Sequence, residues 1–116
     1  MRIYVAGKNI ERARSVMKDL HDAGHEITFD WLTDIENEKD PVGKAALERK
    51  GVQEADALVY LWEHDQESAR YEAGMAMGLQ KTVIVSGSHE SFFFSLPEVT
   101  AVSTDNQIAN ALSNLL

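Results

Sequence analysis

The sequence predicts a three-layer α/β sandwich with a mainly parallel sheet of about five strands, and two observations carry that expectation. Apolar runs at residues 3–6, 57–62 and 82–86 are separated by segments whose apolar residues recur at helical spacing, so strand and helix alternate along the chain. With 116 residues, 44% hydrophobic and 26% charged, the chain has the length and balance of a single domain, 1–116, that buries about two-thirds of its unfolded surface.

Taken in order, residues 3–6 read as the first strand. Ile10, Ala13, Met17 and Leu20 then share one face of a helix, and Gly24 stands where glycine most readily ends one. Residues 26–29 make a short second strand. The polar stretch 33–40 reads as a loop, a lid or rim, before a helix opened by Pro41, whose missing N–H costs nothing in a first turn. Residues 57–62, 66–79 and 82–86 follow as strand, helix and strand, the crossover of a βαβ unit. A loop containing Gly87 and Pro97 leads to a short strand at 99–102 and a terminal helix starting near Asp105. The architecture is of the flavodoxin-like or Rossmann-like kind, where ligands bind at the carboxyl ends of the strands.

Composition narrows the function. The formal charge is −8, with acidic residues in every segment, whereas nucleic-acid binders concentrate Lys and Arg on one face. A small-molecule ligand is expected, with no nucleic acid and no membrane, since no apolar run reaches the length of a span. The chain reads as cytoplasmic. His21, His25, His64 and His89 are scattered, with no pair at ligand spacing, so no metal or cofactor is expected. His64 alone falls near the predicted cleft, where proton transfer would be open to it.

Glu72 is the residue that stands out. At helical spacing Ala69, Glu72, Ala76 and Leu79 share one face, so a carboxylate points where an apolar side chain belongs. Such a group is paired, hydrated in a cleft, or catalytic. Gly74 and Gly78 on the same helix are expected to bring it close to the sheet. Gly7, Lys8 and Asn9 follow the first strand, where backbone N–H groups can hold an anion, although a glycine there is equally explained by a tight turn. Taken alone, Glu48 reads as a solvated helix charge and Asp56 as a partner for backbone donors. Phe92, Phe93 and Phe94 cannot all face inward, which leaves exposed aromatic surface of the kind found at subunit interfaces.

Four segments together carry a resemblance: Ile3-Tyr4-Val5-Ala6-Gly7; Gly24-His25-Glu26-Ile27-Thr28-Phe29-Asp30-Trp31; Gly51-Val52 through Ala55-Asp56-Ala57-Leu58-Val59; and Tyr71-Glu72-Ala73-Gly74-Met75-Ala76 before Lys81-Thr82-Val83-Ile84-Val85. They span nearly the whole chain and resemble the nucleoside 2-deoxyribosyltransferase superfamily, which includes deoxynucleoside 5′-monophosphate N-glycosidases. The resemblance implies that Glu72, in the family's E-x-G-x-A helix, is the nucleophile at the anomeric carbon. It implies that Glu48, at the position of an acidic residue that is usually Asp followed by Leu, assists at the base or sugar. Tyr4 and Gly7 match the family's first-strand Tyr and first-loop Gly. The family also implies a homodimer or larger homo-oligomer in which a neighbour completes each site. Two departures stand out. Gln66-Glu67-Ser68-Ala69-Arg70 replaces a glycine-bearing turn, leaving Ser68 to offer its hydroxyl and N–H, and Glu48 carries one methylene more than Asp, a displacement of about an ångström.

In this chemistry positive charge builds at C1′ while the base must gain a proton, so a carboxylate nucleophile and a carboxyl proton donor are the side chains required. Tyr4, or a donor near Ser68, would keep Glu72 placed and charged. Lys8 would favour a phosphorylated substrate, and Trp31 is a candidate for stacking on the base. Rival readings are a non-catalytic nucleotide-binding or sensing module on the same fold, and an NAD-type glycohydrolase, which also needs one Glu at the anomeric carbon.

Overall fold

The computed structural model describes residues 1–33, 40–87 and 89–115. In chain order its elements are β1 (Arg2–Ala6), α1 (Ile10–Asp22), β2 (Glu26–Ile27), α2 (Pro41–Glu54), β3 (Ala57–Leu61), α3 (Ser68–Gly78), β4 (Thr82–Ser86), β5 (Val99–Val102) and α4 (Ile108–Asn114), with 3₁₀ turns at Phe92–Ser95 and Asp105–Gln107. The strands lie in the order β2-β1-β3-β4-β5, all neighbours parallel. The expected rim at 33–40 lies, apart from its two end residues, outside the described residues.

Alternation along the strands builds two cores. Ile3 and Val5 of β1, Ala57, Val59 and Leu61 of β3, and Ile84 of β4 pack against Ala13, Val16, Met17 and Leu20 of α1 and Ile108 and Leu112 of α4. On the opposite face Tyr4, Ala6, Leu58, Tyr60, Val83 and Val85 meet Val52 of α2 and Ala69, Ala73 and Ala76 of α3. Burial on both faces explains why these strands read as unbroken apolar runs. The chain leaves β1 toward β2 through α1 and leaves β3 toward β4 through α3, so strand order reverses between β1 and β3. In open α/β sheets, ligands bind outside the carboxyl ends of the strands at such a reversal.

Polar side chains fix the element ends. The Asn9 side chain caps α1 by accepting from Arg12 N at 3.0 Å, and Asp40 caps α2 by accepting from Val42 N. Gly24, at φ 93°, turns the chain out of α1 in the left-handed conformation that suits glycine. Asp56 Oδ2 accepts from Arg2 N at 2.8 Å, the backbone-satisfying role its place before β3 suggested. The Arg12 guanidinium reaches Asp105 through two N–H groups at 2.8 Å and also donates to the carbonyls of Trp62 and Ser86. It thereby ties α1 to the ends of β3 and β4 and to the turn before α4, and its hydrogen bonds hold the Asp105 carboxyl below the usual carboxylate range.

Three expectations need correction. β2 ends at Ile27 rather than residue 29: the Thr28 hydroxyl binds Gly51 O at 2.8 Å and Phe29 packs on the same glycine, which draws the chain off the sheet edge toward α2. α3 starts at Ser68, because the buried Gln66 is a loop organiser that donates to Leu61 O and accepts from Glu63 N. Gly74 and Gly78 do not face the sheet. A Cβ at either would meet nothing within 4 Å, and Leu79 is 53% exposed, so Ala69, Glu72, Ala73 and Ala76 are the side chains α3 turns inward.

Candidate functional site

Tyr4 lies mid-strand in β1, paired with Leu58 of β3, its side chain fully buried under α2 and α3. Glu72 comes down to meet it from the second turn of α3, flanked by alanines small enough to let the helix lie against the sheet. The Tyr4 hydroxyl donates to Glu72 Oε2, and Glu72 is 5% exposed. Burial, opposed by the Tyr4 hydrogen bond and reinforced by the charge of Glu48, pushes the Glu72 carboxyl up to about 8. Burial likewise raises the Tyr4 phenol well above its usual range, with the charge of Glu72 adding to it.

Glu48 sits on α2 one turn before Gly51 and Val52, the residues by which that helix meets the sheet, and it is half-buried rather than solvated. Burial raises its pKa, with Lys44 one helical turn earlier opposing the shift. Its charge reaches both Glu72 and Tyr4. Tyr4, Glu48 and Glu72 therefore come together from β1, α2 and α3.

Gly51 makes that approach possible. A Cβ there would lie 2.9 Å from Cδ2 and Cε2 of the Tyr4 ring and 2.9 Å from Phe29 Cβ. A glycine inside a helix costs about 1 kcal/mol relative to alanine, so its presence within α2, ahead of the helix end, signals a close contact. Gly51→Ala is expected to lower stability by about 1–3 kcal/mol despite that propensity gain, because the fully buried ring has nowhere to retreat. Urea unfolding would check this, and a variant as stable as wild type would refute it.

The remaining candidates fall around this trio in different ways. Trp31 stands beyond the shortened β2, its Nε1 donating to Val5 O at 2.8 Å and its ring packed against both cores, which makes it a wall of the core at the β1 edge. Ser68 opens α3 and is exposed. Gly7 lets the first loop pass close over β3, since a Cβ would lie 3.2 Å from Leu61 Cδ1. The donors of that loop are engaged: Lys8 N and Asn9 N donate to Glu63 Oε2 at 3.3 and 2.9 Å, and Lys8 Nζ donates to Asp65 O at 2.9 Å. Glu63 was not singled out from the sequence, and Gln66 and Gly51, though part of the segments compared, were given no role of their own. The glycine within the helix was a usable signal, whereas nothing in the order of residues 63–66 revealed which carboxylate or amide would fold back.

His64 and His89 both pack on Trp62, His64 edge-on and His89 stacked with centroids 4.2 Å apart. An open cavity of about 580 Å³ lies beside them, walled by Trp62, Gly74, Met77, Phe93 and Phe94. Neither Tyr4, Glu48 nor Glu72 lines it. As expected, the aromatic triplet leaves Phe92 and Phe93 well exposed.

No protein-family model matches the chain, and no curated protein does. Solved structures do match in fold. A CMP N-glycosidase of Clostridium botulinum, BcmB, superposes with a TM-score of 0.73 at 15% identity, over 98% of this chain and 99% of that one. A 2-deoxyribosyltransferase of Bacillus psychrosaccharolyticus gives a TM-score of 0.69 at 20% identity, over 95% and 91%. The fold is thus related to that of nucleoside 2-deoxyribosyltransferases and CMP N-glycosidases, at low sequence identity. Among the described residues no helix is long and apolar enough to cross a membrane.

Proposed function

We propose that the chain cleaves or exchanges the N-glycosidic bond of a (deoxy)nucleoside or its 5′-monophosphate, with Glu72 as nucleophile at C1′ and Glu48 as proton donor to the base. The observation that carries this reading is the buried Tyr4–Glu72 pair with a second desolvated carboxyl beside it. Keeping two acids out of water is costly, and stability alone gives no reason to do so. The fold likeness supports it, since solved structures that match the fold include an N-glycosidase of CMP and a 2-deoxyribosyltransferase.

The coupled acids supply both halves of the reaction. With one proton between them, like charges close together cannot both ionise easily, and the pair titrates as a unit. In the empty site the proton rests on Glu72, the more strongly raised of the two; the reactive form is the one in which the Tyr4 hydrogen bond holds the charge on Glu72 and the proton has passed to Glu48. The Glu72 carboxylate then bonds to C1′ as the C1′–N bond breaks, its electron pair going to the base and Glu48 delivering the proton. Attack by water on C1′, with its proton passing to Glu48, breaks the ester and restores Glu72. A second base in place of water makes the reaction a transfer. A neighbouring copy covering Phe92 and Phe93 would complete the assembly that the family resemblance implies.

A second reading, a binding module without turnover, draws on the same raised Glu72, which holds its proton at neutral pH in the empty site. Base release separates the two. Deoxy- and ribonucleosides, their 5′-monophosphates and NAD, with and without a second base, are incubated with wild type and Glu72→Ala and resolved by chromatography. Release that is absent from the variant supports the enzyme. A folded wild type that releases nothing from any substrate overturns it in favour of the module.

A further inference from the structure

We infer that Glu63 is a specificity determinant that commits the proposed site to free nucleosides and turns away their 5′-monophosphates. This rests on the glycosidic reading above and selects between the two substrate classes it leaves open.

Strand order reverses between β1 and β3, the place outside whose carboxyl ends open α/β sheets take their ligands, and the loop after β1 carries backbone N–H groups and a lysine there. Those are the donors a phosphate would use. Here the chain fills that place itself. The Glu63 carboxylate, from the loop after β3, reaches over to the loop after β1 and accepts from Lys8 N and Asn9 N, while the one ammonium on the loop after β1, Lys8 Nζ, is spent on Asp65 O. Asn9 Oδ1 takes the amide of Arg12, a further donor at the start of α1.

Glu63 is also held in position. Its own N–H donates to Oε1 of Gln66, which is 4% exposed and is anchored in turn by Nε2 to Leu61 O. Asp65 beside it adopts φ 53°, a conformation that lets the loop double back over Lys8. A tethered carboxylate competes with an incoming phosphate at high effective concentration and repels its charge. A neutral 5′-hydroxyl meets no such repulsion and finds in Glu63 a hydrogen-bond acceptor.

The test compares matched nucleosides and 5′-monophosphates on wild type, Glu63→Gln and Glu63→Ala by kcat/KM for base release. In parallel, calorimetric affinities are measured on the Glu72→Gln background, which reads binding without turnover. Wild type is expected to favour the free nucleoside by about 100-fold or more. Glu63→Ala should cut that ratio by at least about tenfold, and Glu63→Gln, which keeps an oxygen acceptor but loses the charge, should fall between. A purely structural role would depress both substrates together and leave the ratio alone. An unchanged ratio in both folded variants, or a wild type that takes monophosphates as well as nucleosides, overturns the inference while leaving the glycosidic reading standing. No base release with the calorimetric preference intact supports the inference and sinks the glycosidic reading instead.

Discussion

Glu72→Gln is expected to lower base release by about four decades or more while making the protein more stable at alkaline pH. The first effect follows from removing the atom that bonds to C1′: the amide is nearly isosteric but is a far weaker nucleophile. The second follows from linkage. In the unfolded chain the Glu72 carboxyl titrates at its ordinary value of 4.5, whereas in the fold it is raised to about 8. A folded-state value above the unfolded one stabilises fully below 4.5, and that contribution is lost as pH climbs toward 8, at about 1.4 kcal/mol per unit of separation. Wild type should therefore weaken by a few kcal/mol across this window relative to Glu72→Gln, which has no proton to lose there. Urea unfolding of both proteins at intervals from pH 4.5 to 9 measures the gap. If it stays flat, Glu72 is not desolvated in the folded protein, and the physical basis for its assignment goes with it.

The parts of this molecule legible in the sequence are those governed by one-dimensional pattern. Unbroken apolar runs gave β1, β3 and β4 because both their faces are covered, and the carboxylate among alanines at 69, 72 and 76 stood out because that face is buried. Pattern fails where two faces of one helix are equally small. α3 carries alanines inward and Gly74 and Gly78 outward, and no periodicity separates an alanine stripe that packs from a glycine stripe beside a cavity. It fails again at Gln66, whose helix-compatible neighbours hide a buried amide that holds the loop after β3. The partnerships that define the site, Tyr4 with Glu72 and Glu63 with the first loop, join residues far apart in sequence. They become visible only when β1 and β3 are side by side.

Tyr4→Phe and Glu48→Gln are expected to shift the pH at which Glu72 ionises in opposite directions. The kcat/KM profile reports groups in the free protein, and the reactive form keeps one proton on the pair, so its falling limb should lie near 8, where the last proton leaves, rather than near the ordinary 4.5. The Tyr4 hydrogen bond lowers that value and the charge of Glu48 raises it. Removing the hydroxyl while keeping the ring therefore moves the limb to higher pH. At pH 7 the activity of Tyr4→Phe should drop by about tenfold to a hundredfold, because without the hydroxyl's hydrogen bond less of the pair's charge resides on Glu72. Glu48→Gln lowers the pH at which Glu72 ionises, since no second charge then opposes it, and cuts the maximum rate, because the base has lost its proton donor. It should do so least for substrates whose base leaves readily without protonation. A merely structural Tyr4 would lower the whole profile without moving it. An ionisation of Glu72 that shifts the same way in both variants would mean that Tyr4 and Glu48 do not act on Glu72 with opposite sign, and the proton-sharing mechanism would have to be abandoned.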